Sequence, residues 1–329
     1  MVSVQVINIR ALNNIFKTRK KVTFELILDK GINRIPYLIV YQDSFYHSNT
    51  ELARQIVVRP YSSRDHSYLF ELPGQQKPRY FALVVEEGDR SLYVMKKYHF
   101  EPGDCIRISI KSNPGPERYD LGFSGAGSAK YRLQRTFNAF LSNENKQHPA
   151  FLRHGKYNPE NHCLKNLEIL LHLLKNARME ISDYSYYLFK TDLISRTGRS
   201  LIAAFNAKTI TLNDKDSRIY RLLCEQSLAG FKADFEIDVP GYIKYASEEY
   251  AWYIMEKRLF EQSGNEETNL LLIYYFIKNM EDKELRDKLI VIFFIKHGAG
   301  MNRAYKTILA NALSLVKNTE CLEKLKKFK

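Results

Sequence analysis

Cysteine is sparse in this chain and tryptophan nearly missing, with four of the one and one of the other in 329 residues. Cys105, Cys163, Cys224 and Cys321 lie far apart and form no CxxC pair. That excludes a cysteine-knuckle zinc site and argues against a disulfide framework, so they read as reduced thiols of an intracellular, cytoplasmic protein. The opening MVSVQVINIR has neither the cationic start nor the apolar core of a secretory signal. Long apolar runs are also lacking. The longest, residues 270–277 and 289–295, are too short to cross a bilayer and suit buried helix segments. No repeat of fixed period and no highly specific catalytic motif is present, and no cofactor is identified.

What is present is an ordinary globular composition, 45% apolar and 26% charged, with a formal charge of +13 and a pI near 9.3. The positive excess is segmental. Residues 1–130, 131–230 and 291–329 each carry it, whereas 231–290 is net acidic. Basic surfaces concentrate polyanions and speed their encounter, which points to DNA or RNA as partner. The acidic block 231–290 is the place where a basic protein partner docks if the chain is instead an adaptor.

The segment 111–130, KSNPGPERYDLGFSGAGSAK, is the strongest punctuation in the sequence. Before it, apolar residues alternate: Val22, Phe24, Leu26 and Leu28 end in Asp29-Lys30-Gly31, and similar runs follow at 37–41, 55–59, 68–72, 80–85, 92–96 and 106–110. Short strands separated by turns, without intervening helices, predict an antiparallel β-sandwich or barrel. After the segment the apolar period becomes helical. Leu133, Phe137, Phe140 and Leu141 share a face of a helix starting at Ser128, and further helices are expected at 164–179, 184–195, 200–207, 217–230, 243–262, 266–280, 282–297 and 301–326. The whole is an α+β chain with a β-rich domain over 1–112, a Gly/Pro-rich linker over 113–128 and an all-α domain over 129–329.

Four places carry candidate chemistry. In 122–130, GFSGAGSAK, Ser124, Gly125, Gly127 and Ser128 can turn backbone N–H groups toward an anion at a helix start, with Lys130, Arg132 and Arg135 beside them. The spacing fits neither a Walker loop nor a dinucleotide fingerprint, and a linker with a capped helix explains it too. Gly122 and Ala126 could flank a nucleophile elbow at Ser124, but no apolar strand feeds it. The run Lys17, Arg19, Lys20 and Lys21 is either a polyanion contact or a guarded sheet edge. His148, His154, His162 and Cys163 crowd a polar stretch whose Asn158-to-His162 spacing resembles that of HNH nucleases, without the paired strands or cysteine knuckles; incidental histidines, and no metal, are expected. The C-terminal KLKKFK reads as a frayed helix end.

Residues 82–89, ALVVEEGD, resemble the opening strand and Glu-Gly of a TOPRIM nuclease fold. That resemblance implies an Asp-x-Asp pair on a nearby strand. The pair present, Asp214 and Asp216, lies in the helical half, and a hairpin around Gly88 accounts for the same residues. The reading that follows is a non-catalytic protein binding a polyanion, nucleic acid foremost. Its rivals are an enzyme or nucleotide-binding protein using 122–130, and an adaptor.

Overall fold

The computed structural model describes residues 21–32, 35–43, 45, 54–72, 77–87, 90–113, 119–151, 159–206, 239–261, 266–297 and 303–328. Among these described residues nine strands in two open sheets occupy the N-terminal part and helices the C-terminal part, an α+β arrangement. The chain divides into two compact units, residues 1–42 with 54–134, and residues 43–53 with 135–329.

In the first unit the strands are β1 (Val22–Leu28), β2 (Pro36–Tyr41), β3 (Gln55–Val58), β4 (Ser62–Arg64), β5 (Ser67–Leu72), β6 (Arg79–Glu87), β7 (Arg90–Phe100), β8 (Cys105–Ser112) and β9 (Tyr119–Ala126). They form a five-stranded sheet in the order β4-β5-β1-β8-β9 and a four-stranded sheet in the order β3-β2-β6-β7. The alternation of β1 does what its sequence dictates: Val22, Phe24, Leu26 and Leu28 are buried while Thr23, Glu25 and Ile27 are half-exposed. One hydrophobic cluster draws on both sheets, with Phe24, Ile106 and Ile108 from the first and Leu38, Phe81 and Leu83 from the second. The Phe24 and Phe81 rings lie 4.7 Å apart between centroids.

Two expectations change here. The pairing is not wholly antiparallel, because β1 runs parallel to β8, with Phe24 opposite Ile106 and Leu26 opposite Ile108. Alternation reveals a pleat but not a partner's direction, and the long excursion through β2 to β7 supplies the crossover that a parallel pair needs. Within the span expected as a linker, β9 pairs antiparallel with β8 from Ser112↔Tyr119 to Cys105↔Ala126. Glycine is depleted in strands, so the segment does not announce one, yet Gly125 is required. Its φ is +96°, and a Cβ there would strike the Cys105 carbonyl.

Helix α1 (Ser128–Phe151) begins where the periodicity placed it. In the second unit α2 (Pro159–Asn176), α3 (Asp183–Asn206), α4 (Gly241–Ala246), α5 (Glu248–Glu261), α6 (Glu266–Lys278), α7 (Lys283–His297), α8 (Arg303–Leu315) and α9 (Thr319–Leu325) follow. Helices expected at 184–195 and 200–207 are one helix, α3, whose Gly198 lies against the Tyr253 ring with no room for a Cβ. The helix expected over 243–262 breaks at Ser247, whose Oγ accepts from the Tyr250 N–H at 3.0 Å and donates to Asp192 at 2.5 Å. That over 301–326 breaks at Asn318, which caps α9 by accepting from Cys321 N–H at 3.1 Å. The segment 217–230 falls outside the described residues.

The C-terminal lysines are not all frayed. Lys324 is buried and bonds Asp43 at 2.6 Å, with its ammonium 5.0 Å from the centroid of the buried Phe45 ring. Among the described residues no helix is long and apolar enough to cross a membrane.

Candidate binding groove on the five-stranded sheet

Pairing across β5, β1, β8 and β9 brings together side chains that are distant in sequence. Leu69 stands opposite Glu25, Glu25 opposite Arg107, and Arg107 opposite Ser124; one row along, Thr23 stands opposite Cys105. These residues occupy the positions that alternate with the buried Phe24, Phe70, Ile106 and Phe123, so they share the sheet's outer face. There they line a groove of about 420 Å³ together with Tyr61 and Gly125. Tyr61 is placed by its N–H, which donates to the Leu69 carbonyl at 2.9 Å, and it is 65% exposed.

Arg107 is the organised cation of this face. Its Nε donates to Glu25 Oε2 at 2.7 Å, and the other oxygen of that carboxylate accepts from Ser67 Oγ at 3.4 Å. The guanidinium is a planar fork of five N–H donors, so tethering it at Nε leaves its two terminal nitrogens available in a fixed orientation. The side chain is 59% exposed. Within the described residues no hydrogen bond engages the hydroxyls of Thr23, Tyr61 and Ser124. The groove is therefore apolar and aromatic at the Tyr61 and Leu69 side and hydrogen-bonding at the Arg107 and Ser124 side.

Of the residues singled out in the sequence, Ser124 and Gly125 line this groove. The other described ones are not among its lining residues. Lys130, expected near solvent at a helix start, is only 3% exposed, and its Nζ donates to Glu101 Oε2 and to Asp104 Oδ1, each at 2.7 Å. Asp104 Oδ2 accepts from the Tyr131 hydroxyl at 2.8 Å and from Glu101 N–H at 2.9 Å. Burial pushes the Asp104 carboxyl up from its ordinary range, with Lys130 pulling against it, and burial followed by the Asp104 charge pushes the Tyr131 phenol well up. Lys130 is thus neutralised in place. Gly127, with φ of +87°, makes room for Asp104, because a Cβ there would meet the Asp104 carboxylate.

Ser128 is buried, and its Oγ accepts from the exposed Arg132 at 2.9 Å; Arg132 also donates to the Phe123 carbonyl at 3.4 Å. Arg135 belongs to the second unit. Lys17, Arg19 and Lys20 lie outside the described residues, while Lys21 is 66% exposed and bonds Glu71 at 2.8 Å. The side chains of His148, His154 and His162 also lie outside them, and the described residues contain no group of three His, Cys, Asp or Glu able to hold a metal.

Sequence reasoning missed Thr23, Tyr61, Cys105 and Arg107. A signal existed for Arg107, the outward residue between Ile106 and Ile108 on a recognised strand. What brings it to Glu25 is the parallel β1–β8 pairing, which no local pattern encodes.

The acidic block shows a similar inversion. Glu248, Glu249 and Asp287 are buried. Glu249 accepts from Arg196 Nε at 2.9 Å and from Arg199 at 2.8 Å, Glu256 accepts from Arg199 at 3.1 Å, and Asp287 holds Arg286 and the N–H groups of Lys317 and Asn318. These acids serve the interior of the helical unit. No protein-family model matches the chain, and no curated protein is significantly similar to it.

Proposed function

We propose that the chain is a non-catalytic binding protein that engages a polyanion, nucleic acid foremost, and that the groove of the five-stranded sheet is its contact point. The observation that carries this reading is Arg107, held at Nε by Glu25 with its terminal nitrogens left at a groove that also offers Tyr61 and unengaged hydroxyls. A tethered guanidinium recognises phosphate oxygens by two parallel N–H bonds at little entropic cost. The net charge of +13 adds a long-range attraction for polyanions. We read the two sheets that share one core as a sandwich, a scaffold that presents a face and leaves its chemistry to the residues on it. Among the described residues Cys105 and Cys321 stand outside any disulfide, which supports a cytoplasmic setting.

A second reading, a phosphorylated small ligand in the same groove, is favoured by Ser124, which lines it beside Arg107. For the adaptor reading, burial withdraws Glu248, Glu249 and Asp287 from an outward docking face, while Glu281 and Glu284 of the same block are exposed.

The test is fluorescence anisotropy with labelled duplex DNA, a single-stranded oligonucleotide and heparin at about 50 and about 200 mM salt. Binding that weakens steeply with salt is expected. Absence of binding to all three at the lower salt overturns the proposal.

A further inference from the structure

We infer that the groove takes single-stranded rather than duplex nucleic acid, with one unpaired base on the Tyr61 ring and its phosphate on the terminal nitrogens of Arg107. This rests on the polyanion reading above and narrows it. Of the described cations of this face, Lys21 is paired with Glu71 and Arg107 with Glu25, and Lys111 stands opposite Asp120. Duplex binding draws its affinity from many unneutralised phosphate contacts, and the described residues of this face do not supply that density. It supplies an exposed aromatic ring instead. In a duplex the π-faces of the bases are covered by their neighbours, so only an unpaired base can use such a ring.

The polarity of the groove matches a nucleotide unit. Tyr61 and Leu69 make a flat apolar end for a base, and Arg107 with Ser124, opposite each other across β8 and β9, makes a hydrogen-bonding end for a phosphate. Thr23 and Ser124 add hydroxyls for sugar and phosphate oxygens. None of these contacts depends on base identity, so the binding is sequence-tolerant.

The experiment uses the full chain and a labelled oligothymidylate, titrated across salt, with the duplex of equal length and thymidine monophosphate as competitors. Tyr61→Ala is expected to weaken binding about tenfold and leave the salt slope unchanged, and Tyr61→Phe to bind like the parent. Arg107→Gln is expected to weaken binding and reduce the slope by about 0.7, the share of one single-strand phosphate. Both side chains are more than half exposed, so thermal unfolding should show all three variants folded. If the parent binds but Tyr61→Ala and Arg107→Gln titrate like it, the groove is not the site, while the polyanion reading stands. If the duplex competes as well as the single strand, or the mononucleotide competes as well as the oligomer, the single-strand inference is overturned. If the parent binds none of them, both readings fall together.

Discussion

The sheet unit and the helical unit spend their charges differently. In the helical unit, acids are drawn inward: Glu249 and Glu256 clamp Arg196 and Arg199, Asp287 holds Arg286 and two backbone N–H groups, and Asp43 meets Lys324. In the sheet unit one buried hub, Asp104 with Lys130 and Tyr131, joins the β7–β8 turn to the start of α1, while Arg107 and Lys21 stay on the outer face. Counting charge along a sequence cannot separate these uses. A lysine after a glycine loop proves structural, and an arginine inside a strand stays on the outer face.

Apart from that of replacing the buried Lys130, the largest effect expected from testing this contrast is in the helical unit. Glu249→Ala leaves two guanidinium groups without their shared carboxylate, and should cost about 2–3 kcal/mol in urea unfolding, allowing for the partial exposure of both arginines. A loss no larger than that of an exposed ion pair would mean that its acids are no more structural than surface ones.

The pH dependence sharpens the comparison next. Burial, with help from the Lys130 charge, lowers the His99 pKa from 6.5 to about 3, and burial lowers that of His297 to about 4. The unfolded chain therefore takes up these protons first. Stability conferred by the neutral imidazoles is complete above about pH 6.5 and falls as pH drops toward the folded values, changing the folded-to-unfolded ratio roughly tenfold per pH unit for His99. His99→Gln should flatten that slope for the sheet unit down to about pH 3, as followed by thermal melts across pH. An unchanged slope would mean that His99 is protonated in the folded state.

The smallest effect is local. Asn318→Ala removes the cap of α9 and should cost about 1 kcal/mol, measured by the same urea titration, without changing ligand binding.

Much of the architecture was legible from period alone. The β1 alternation, the strand at 106–110 and the helix start at Ser128 all follow from side-chain spacing, and they survive because each buries a face that must be apolar. What was not legible depends on partners remote in sequence. The parallel β1–β8 register sets Glu25 beside Arg107, and the Glu101 and Asp104 carboxylates capture Lys130 from a turn that reads only as a turn. The break at Ser247 was hidden for the same reason, since it is fixed by Asp192 on α3 as well as by its own helix. The glycines have a structural use that their spacing does not reveal. Their spacing suggested a cradle for an anion, whereas Gly125 and Gly127 admit the backbone of Cys105 and the carboxylate of Asp104.

The most direct test of the central claim, that Lys130 holds the fold while Arg107 is left for a ligand, is urea unfolding of Lys130→Met and Arg107→Gln side by side. The account predicts that Lys130→Met, which strands buried carboxylates, loses about 3–5 kcal/mol, while Arg107→Gln stays within about 0.5 kcal/mol of the parent. A parent-like midpoint for Lys130→Met, or a comparable loss for Arg107→Gln, would contradict it.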